Sequence, residues 1–268
     1  MIIFYPLYLK IVFNLSFMHM ELWMYGLFIV AGALAGFINT LAGSGSLITL
    51  PLLIFFGLPA NIANGTNRLG VLLQSIVAVS SFKQKKVFEW KEGIWLTVPA
   101  IIGSLLGAAM AVNLDEQLMN RIIGGLLVFM FFIILFKPDR WVKEQAGQVK
   151  SKPGLWQTII FLGIGFYGGF IQAGVGYFLL AGLVLGAGFD LLKGNAIKVL
   201  ITLALTVAAI VVFIVNGQVD YGVGLSLGAG SMIGAWIATR LAVRKGAKFI
   251  RWVLLVTIFG FAVKLLFL

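Results

Sequence analysis

The sequence predicts an all-α integral membrane protein: two inverted-topology repeats, each a broken (V-shaped or re-entrant) segment followed by three transmembrane helices. Three observations predict it: a composition no soluble core can carry, an internal duplication at a fixed offset, and a loop-charge bias that turns the second copy over. Hydrophobic residues make up 61% of the chain and charged residues 11%, with a mean hydropathy of +1.06. Too little polar surface remains to cover a water-soluble domain. The apolar runs are continuous rather than alternating, which argues for spanning helices and against spanning strands.

The duplication is centred on two interrupted apolar segments. Gly36–Arg68 reads GFINTLAGSGSLITLPLLIFFGLPANIANGTNR, and Gly163–Lys198 reads GIGFYGGFIQAGVGYFLLAGLVLGAGFDLLKGNAIK. Gly43 and Gly174, Gly45 and Gly176, Gly57 and Gly188, and Asn64 and Asn195 all stand 131 residues apart. The same offset pairs Gly32 with Gly163, Gly93 with Gly224, Gly103 with Gly234, and Glu89-Trp90 with Asp220-Tyr221. Glycines inside a helix cost roughly 1 kcal/mol each against alanine, and backbone groups freed at Gly43-Ser44-Gly45-Ser46 cannot face hydrocarbon. Each break is therefore expected to be buried in protein or to line a cavity.

In chain order, residues 1–21 are an apolar N-terminal segment, read as interfacial, as an extra span or as an artefact of an upstream start codon, with no signal-peptide cleavage site. Residues 22–137 form repeat 1. Its uncharged stretch from Leu22 to Asn67 is too long for one span and reads as the two arms of a hairpin; Leu69–Phe82, Gly93–Leu114 and Ile122–Phe136 follow as spans. Residues 138–152 are a cytoplasmic linker. Residues 153–268 form repeat 2, with Pro153–Phe189 as the second broken segment, then Val199–Val219, Tyr221–Thr239 and a last helix begun near Lys248.

Loop charges set the orientation. Lys83–Lys91, Lys137–Lys152 and Arg240–Arg251 are basic, whereas Asp115–Arg121 and Asn216–Tyr221 are neutral or acidic. With basic loops cytoplasmic, Leu69–Phe82 runs inward and its partner Val199–Val219 outward, so the copies are inverted. This requires each broken segment to begin and end on one side with its tip inside the membrane. The net charge of +11 is read as this insertion bias and not as a nucleic-acid footprint. Inverted repeats with discontinuous segments point to a secondary transporter with its site at the midplane, and helix ends at the breaks favour an anion there.

Other chemistries are poorly provided for. There is no cysteine, His19 is the sole histidine, no P-loop motif is present, and no acid/base pair falls within a span. No enzyme activity, metal or cofactor is expected. A depth argument singles out Arg68: at 1.5 Å per residue it lies about 22 Å from Lys83, short of the ~30 Å hydrocarbon thickness, and an intramembrane cation is a functional candidate. Snorkelling to the far interface is the competing reading.

The paired motifs quoted above resemble the TauE/SafE sulfite-exporter family, also called the toluene sulfonate uptake permease family, from about Leu22 onward. The resemblance implies a multi-pass carrier in the bacterial inner membrane moving sulfite, sulfonates or related oxyanions, often outward. An anion channel, a membrane subunit without transport, and an intramembrane enzyme are the alternatives. The expected partners are a small anionic substrate and the lipid bilayer, with homo-oligomerisation left open. The donors for such an anion are sought in Asn39, Gly43, Ser44, Gly45, Ser46, Asn64, Thr66, Asn67, Arg68, Gln172, Gly174, Gly176, Asn195 and Lys198. Copy two has Val175 and Tyr177 where copy one has Ser44 and Ser46, so unequal contributions from the halves are expected.

Overall fold

The computed structural model describes residues 21–87, 90–136 and 154–267. The segment Met1–Met20, Glu89 of the Glu89-Trp90 pair and the linker 138–152 lie outside the described residues. Every regular element within them is helical: α1 Leu22–Leu41, α2 Ser46–Phe55, α3 Ala60–Gln84, α4 Trp90–Val112, α5 Glu116–Phe136, α6 Leu155–Ile171, α7 Val175–Ala181 continued by a π turn Gly182–Gly186, α8 Leu191–Val215 and α9 Tyr221–Phe267. By length and composition, Leu22–Leu41, Gly93–Val112, Leu191–Val215 and Tyr221–Leu254 suffice to cross a membrane.

Each broken segment is a hairpin whose ends return to the same place. The aromatic rings of Trp23 and Phe28, early in α1, pack edge-on against Phe56 just past α2, with centroids 6.3 and 5.6 Å apart. In the second hairpin Gln157 Nε2, in the first turn of α6, donates to Gly186 O at 2.8 Å. The bends need left-handed backbone, which only glycine adopts cheaply. Gly43 (φ 81°) and Gly174 (φ 72°) make the tips, and Gly57 (φ 90°) and Gly188 (φ 80°) make the exits. The four positions that carry the duplicated sequence thus also carry the duplicated backbone.

The long helices α3 and α8 run in opposite directions. Near the start of α3, Thr66 Oγ1 accepts from Asp220 N at 2.9 Å and Asn61 Nδ2 donates to Leu114 O at 3.2 Å. Gln218 Nε2 donates to Val112 O at 2.9 Å. The beginning of α3 and the ends of α4 and α8 therefore gather at one end of the molecule, with Lys83 at the other end of α3. Short polar caps fix the helix starts: Asp190 Oδ1 accepts from Leu192 N and Lys193 N at 3.0 and 2.9 Å, satisfying two of the free donors of α8.

The halves are interlocked by backbone-close packing, in which small residues replace the hydrophobic drive that lipid removes. A Cβ on Gly36 would lie 2.3 Å from Ser231 O and one on Gly234 2.0 Å from Ala33 O, so α1 lies against α9. Likewise a Cβ on Gly165 would lie 2.1 Å from Ala100 O and one on Gly103 2.1 Å from Leu162 O, so α6 lies against α4. The outward faces carry Trp23, Leu34, Val211 and Trp236, all exposed, as a lipid-facing surface would.

Three expectations change. The pairing of Gly32 with Gly163 fails in space: Gly32 abuts Leu227 O, whereas Gly163 has nothing nearby. The glycines in matching contacts are Gly36 and Gly165, an offset of 129, so the two first helices slip by two residues relative to their tips. Second, α3 begins at Ala60 and not Leu69, because Asn64, Thr66, Asn67 and Arg68 are buried against other helices and the chain has no need to leave the membrane there. Third, the basic loop expected at Arg240–Arg251, with a last helix begun near Lys248, is helix on both sides of one non-helical residue, Gly246 (φ 70°, ψ −165°).

Candidate functional site

The two tips meet. A methyl on Gly43 would sit 2.3 Å from Gly176 Cα, and one on Gly176 would sit 2.2 Å from Gly43 Cα. A narrow cavity opens beside this contact, between the hairpins and the helices α3 and α8. It is lined by Asn39, Gly43, Ser46, Gln172, Gly176 and Lys198 among the candidates, joined by Gln74, Ser75 and Thr202. A second cavity shares Asn39, Ser46 and Gln74 and extends to Gly45, Asn67, Thr49 and Ser231.

Donors converge here for local reasons. Helix α2 starts at Ser46 immediately after the bend, and the backbone N–H groups of Ser44, Gly45 and Ser46 find no protein acceptor among the described residues. Such free donors carry the positive end of a helix. The Gly176 N–H is free in the same way. Buried side-chain atoms without a protein partner include Thr40 Oγ1 and Gln172 Oε1 beside the breaks, and Ser75 Oγ and both amide atoms of Asn195 on α3 and α8. Buried polar atoms are nearly always paired, so a concentration of exceptions marks a place built to meet water or a ligand.

The two buried cations have different surroundings. Lys198 is 1% exposed; its Nζ donates to Asn39 O at 3.1 Å and Thr40 O at 2.9 Å, the last carbonyls of α1. An ammonium has three donors, so one remains, and Lys198 lines the cavity. Arg68 is fully buried, which removes the snorkelling alternative. Its Nη1 donates to Gly168 O at 3.0 Å and its Nη2 to Gly169 O at 2.6 Å, near the end of α6, while the guanidinium lies 4.5 Å from the Phe213 ring centroid. Each half thus lends a cation to the carbonyl end of the other half's first helix. Arg68 is outside both cavity linings.

The remaining candidates divide similarly. Asn64 Nδ2 donates to Phe170 O at 2.8 Å and its Oδ1 accepts from Arg68, bracing the second hairpin. Thr66 receives the Asp220 N–H. Asn67 accepts from Thr49 Oγ1 and lines the second cavity. Gln172 Nε2 donates to Thr206 Oγ1. Ser44 is buried, Gly174 provides the left-handed tip, and Asn195 stands one turn before Lys198. Gln74, Ser75 and Thr202 were not anticipated, although each continues a polar stripe four or seven residues along α3 or α8 from Asn67, Arg68 or Lys198. No cluster of metal-ligating side chains occurs among the described residues.

Residues 28–265 match the family model described as Sulfite exporter TauE/SafE. The chain belongs to that family. Among relatives of this TauE/SafE chain is "Probable membrane transporter protein ORF9" of Sinorhizobium sp, 32% identical over 237 residues that cover 88% of this chain and 90% of the relative. "Probable membrane transporter protein YfcA" of Escherichia coli K12 is 30% identical over 256 residues, covering 95% and 94%. A Haemophilus influenzae protein, "Probable membrane transporter protein", is 26% identical with 88% and 92% coverage. No solved structure matches the chain. The protein is a multi-pass membrane transporter of the TauE/SafE family.

Proposed function

We propose that this protein is a secondary carrier exporting small sulfur-containing anions, sulfite, sulfonates or related oxyanions, across the bacterial inner membrane. The substrate is held at mid-depth where the two helix breaks meet. The observation that carries this reading is Lys198, a buried lysine that lines the cavity between Gly43 and Gly176. A compact oxyanion must exchange its hydration shell for several donors at once. The third N–H of Lys198, the free N–H groups of Ser46 and Gly176, the Ser46 hydroxyl and the Gln74 and Asn39 amides are of the right kind and number. Charge-assisted hydrogen bonds of this type contribute about 1.5–3 kcal/mol each.

The opposed directions of α3 and α8 and the crossed packing of α1 on α9 and α6 on α4 support two inverted repeats that rock about the fixed site. The narrowness of the cavity supports an occluded conformation. Calorimetric titration of the detergent-purified protein with sulfite, methanesulfonate, phosphate and acetate tests the substrate class. Sulfite and methanesulfonate should bind and the others much more weakly; a preference for acetate, a cation or a neutral amino acid would end the reading.

A further inference from the structure

We infer that Lys198 couples substrate movement to protons: the carrier crosses the membrane with one proton on Lys198 when an anion is bound and without it when the cavity is empty. This rests on the carrier reading above and adds its coupling to protons; export by such a symport runs down an outward anion gradient and against an inward proton gradient.

The inference begins with what surrounds the ammonium. Among the described residues no carboxylate lines the cavity and Lys198 has no ion-pair partner. Its protein acceptors are two carbonyls in the last turn of α1, the negative end of a helix, worth roughly half an elementary charge. A full positive charge there is half compensated at best, and an uncompensated buried ion costs several kcal/mol. Two events relieve this: an anion enters, or the lysine gives up its proton. With the anion present the pair of charges is neutral; with it absent, release of the proton removes the uncompensated charge.

Among the described side chains, the ionisable groups on the helices around Lys198 leave that role to it. On the helices around α8, α3 carries Arg68, α6 Tyr167 and the α7 segment Tyr177, and Lys91 and Glu92 stand in the first turn of α4. Tyr167 is committed to Ala173 O through its hydroxyl at 2.6 Å. The carboxylates Asp115, Glu116, Asp190 and Asp220 stand at helix ends. Arg68 occupies the corresponding bracing position in the other half, but a guanidinium does not deprotonate in a protein. It is held on Gly168 O, Gly169 O, Asn64 and the Phe213 ring and lies outside the cavity. One half therefore carries a permanent charge that braces, and the other a removable charge that faces the ligand.

The cycle balances without a further reactant. A proton from one side converts the Lys198 amine to ammonium as the monoanion enters, the neutral pair crosses, and both leave on the other side, returning the amine. The direction of net flow then follows the combined gradients of anion and proton.

The test is made in proteoliposomes with methanesulfonate, chosen because it stays a monoanion throughout the accessible pH range whereas sulfite itself takes up protons. Labelled methanesulfonate and a trapped pH dye report both fluxes. The wild type should move about one proton with each sulfonate, in the same direction. Lys198→Arg, which keeps the charge but cannot release it, should lose net proton-driven sulfonate flux by at least tenfold. Sulfonate flux in the wild type without proton flux overturns the coupling while leaving the carrier reading intact. Absence of methanesulfonate flux in either direction overturns both. The wild-type proton measurement decides even where Lys198→Arg fails to fold.

Discussion

Arg68 and Lys198 look alike in composition, each a cation in an otherwise uncharged segment, but their contacts assign them different effects. Removing the Arg68 donors strands the carbonyls of Gly168 and Gly169 inside the membrane, where no water replaces them, at a cost of about 1.5–3 kcal/mol. Arg68→Gln should thus lower the melting temperature by several degrees with or without substrate, as read by differential scanning fluorimetry in detergent. Lys198→Gln should instead weaken sulfite binding roughly ten- to a hundredfold, the loss of one charge-assisted hydrogen bond, with a smaller change in melting. Equal melting of Arg68→Gln and wild type would mean that the guanidinium contacts contribute nothing to the fold. Spacing from Lys83 singled out Arg68, but a rise per residue says nothing about which way a side chain turns. That is why depth identified a buried cation while the cavity belongs to the other one.

Among the elements, the glycines separate close packing from open surface sharply enough to test by single methyl groups. Gly43→Ala meets both a left-handed φ of 81° and the Gly176 backbone at 2.3 Å, so it should abolish transport and reduce the yield of folded protein. Gly45→Ala would push against Ala35 O at 2.1 Å and should loosen α2 from α1, whatever part its N–H plays in binding. Gly163→Ala has open space around it and should leave melting and flux unchanged, whereas Gly165→Ala, two residues on, meets Ala100 O at 2.1 Å and should destabilise. The breaks themselves were legible because glycine and serine have no reason to interrupt apolar helices except to bend them. The two-residue slip of the first helices was not legible: glycine is so frequent here that a false match at Gly32 and Gly163 looks like a true one. Gln74, Ser75 and Thr202 were missed for a different reason, since attention to the breaks passed over the polar stripe they extend along α3 and α8, visible at helical spacing from Asn67 and Lys198.

For the whole molecule, opposite orientation of the two halves requires the basic end of α3 and the loop after α8 to face opposite sides of the membrane. The chain has no cysteine, so single exposed replacements report cleanly. Lys85→Cys should be protected from an impermeant maleimide in intact cells and Asn216→Cys labelled; labelling of both from one side contradicts inverted repeats. The central claim is that a sulfur oxyanion lies against Lys198 between the two tips. The most direct measurement is an anomalous-scattering map from crystals grown with selenite, the heavier analogue of sulfite. A selenium peak within hydrogen-bonding reach of Lys198 Nζ, flanked by Gly43 and Gly176 and lost in Lys198→Gln, is the expected result. A peak elsewhere in the protein, or one that persists undiminished in Lys198→Gln, would contradict it.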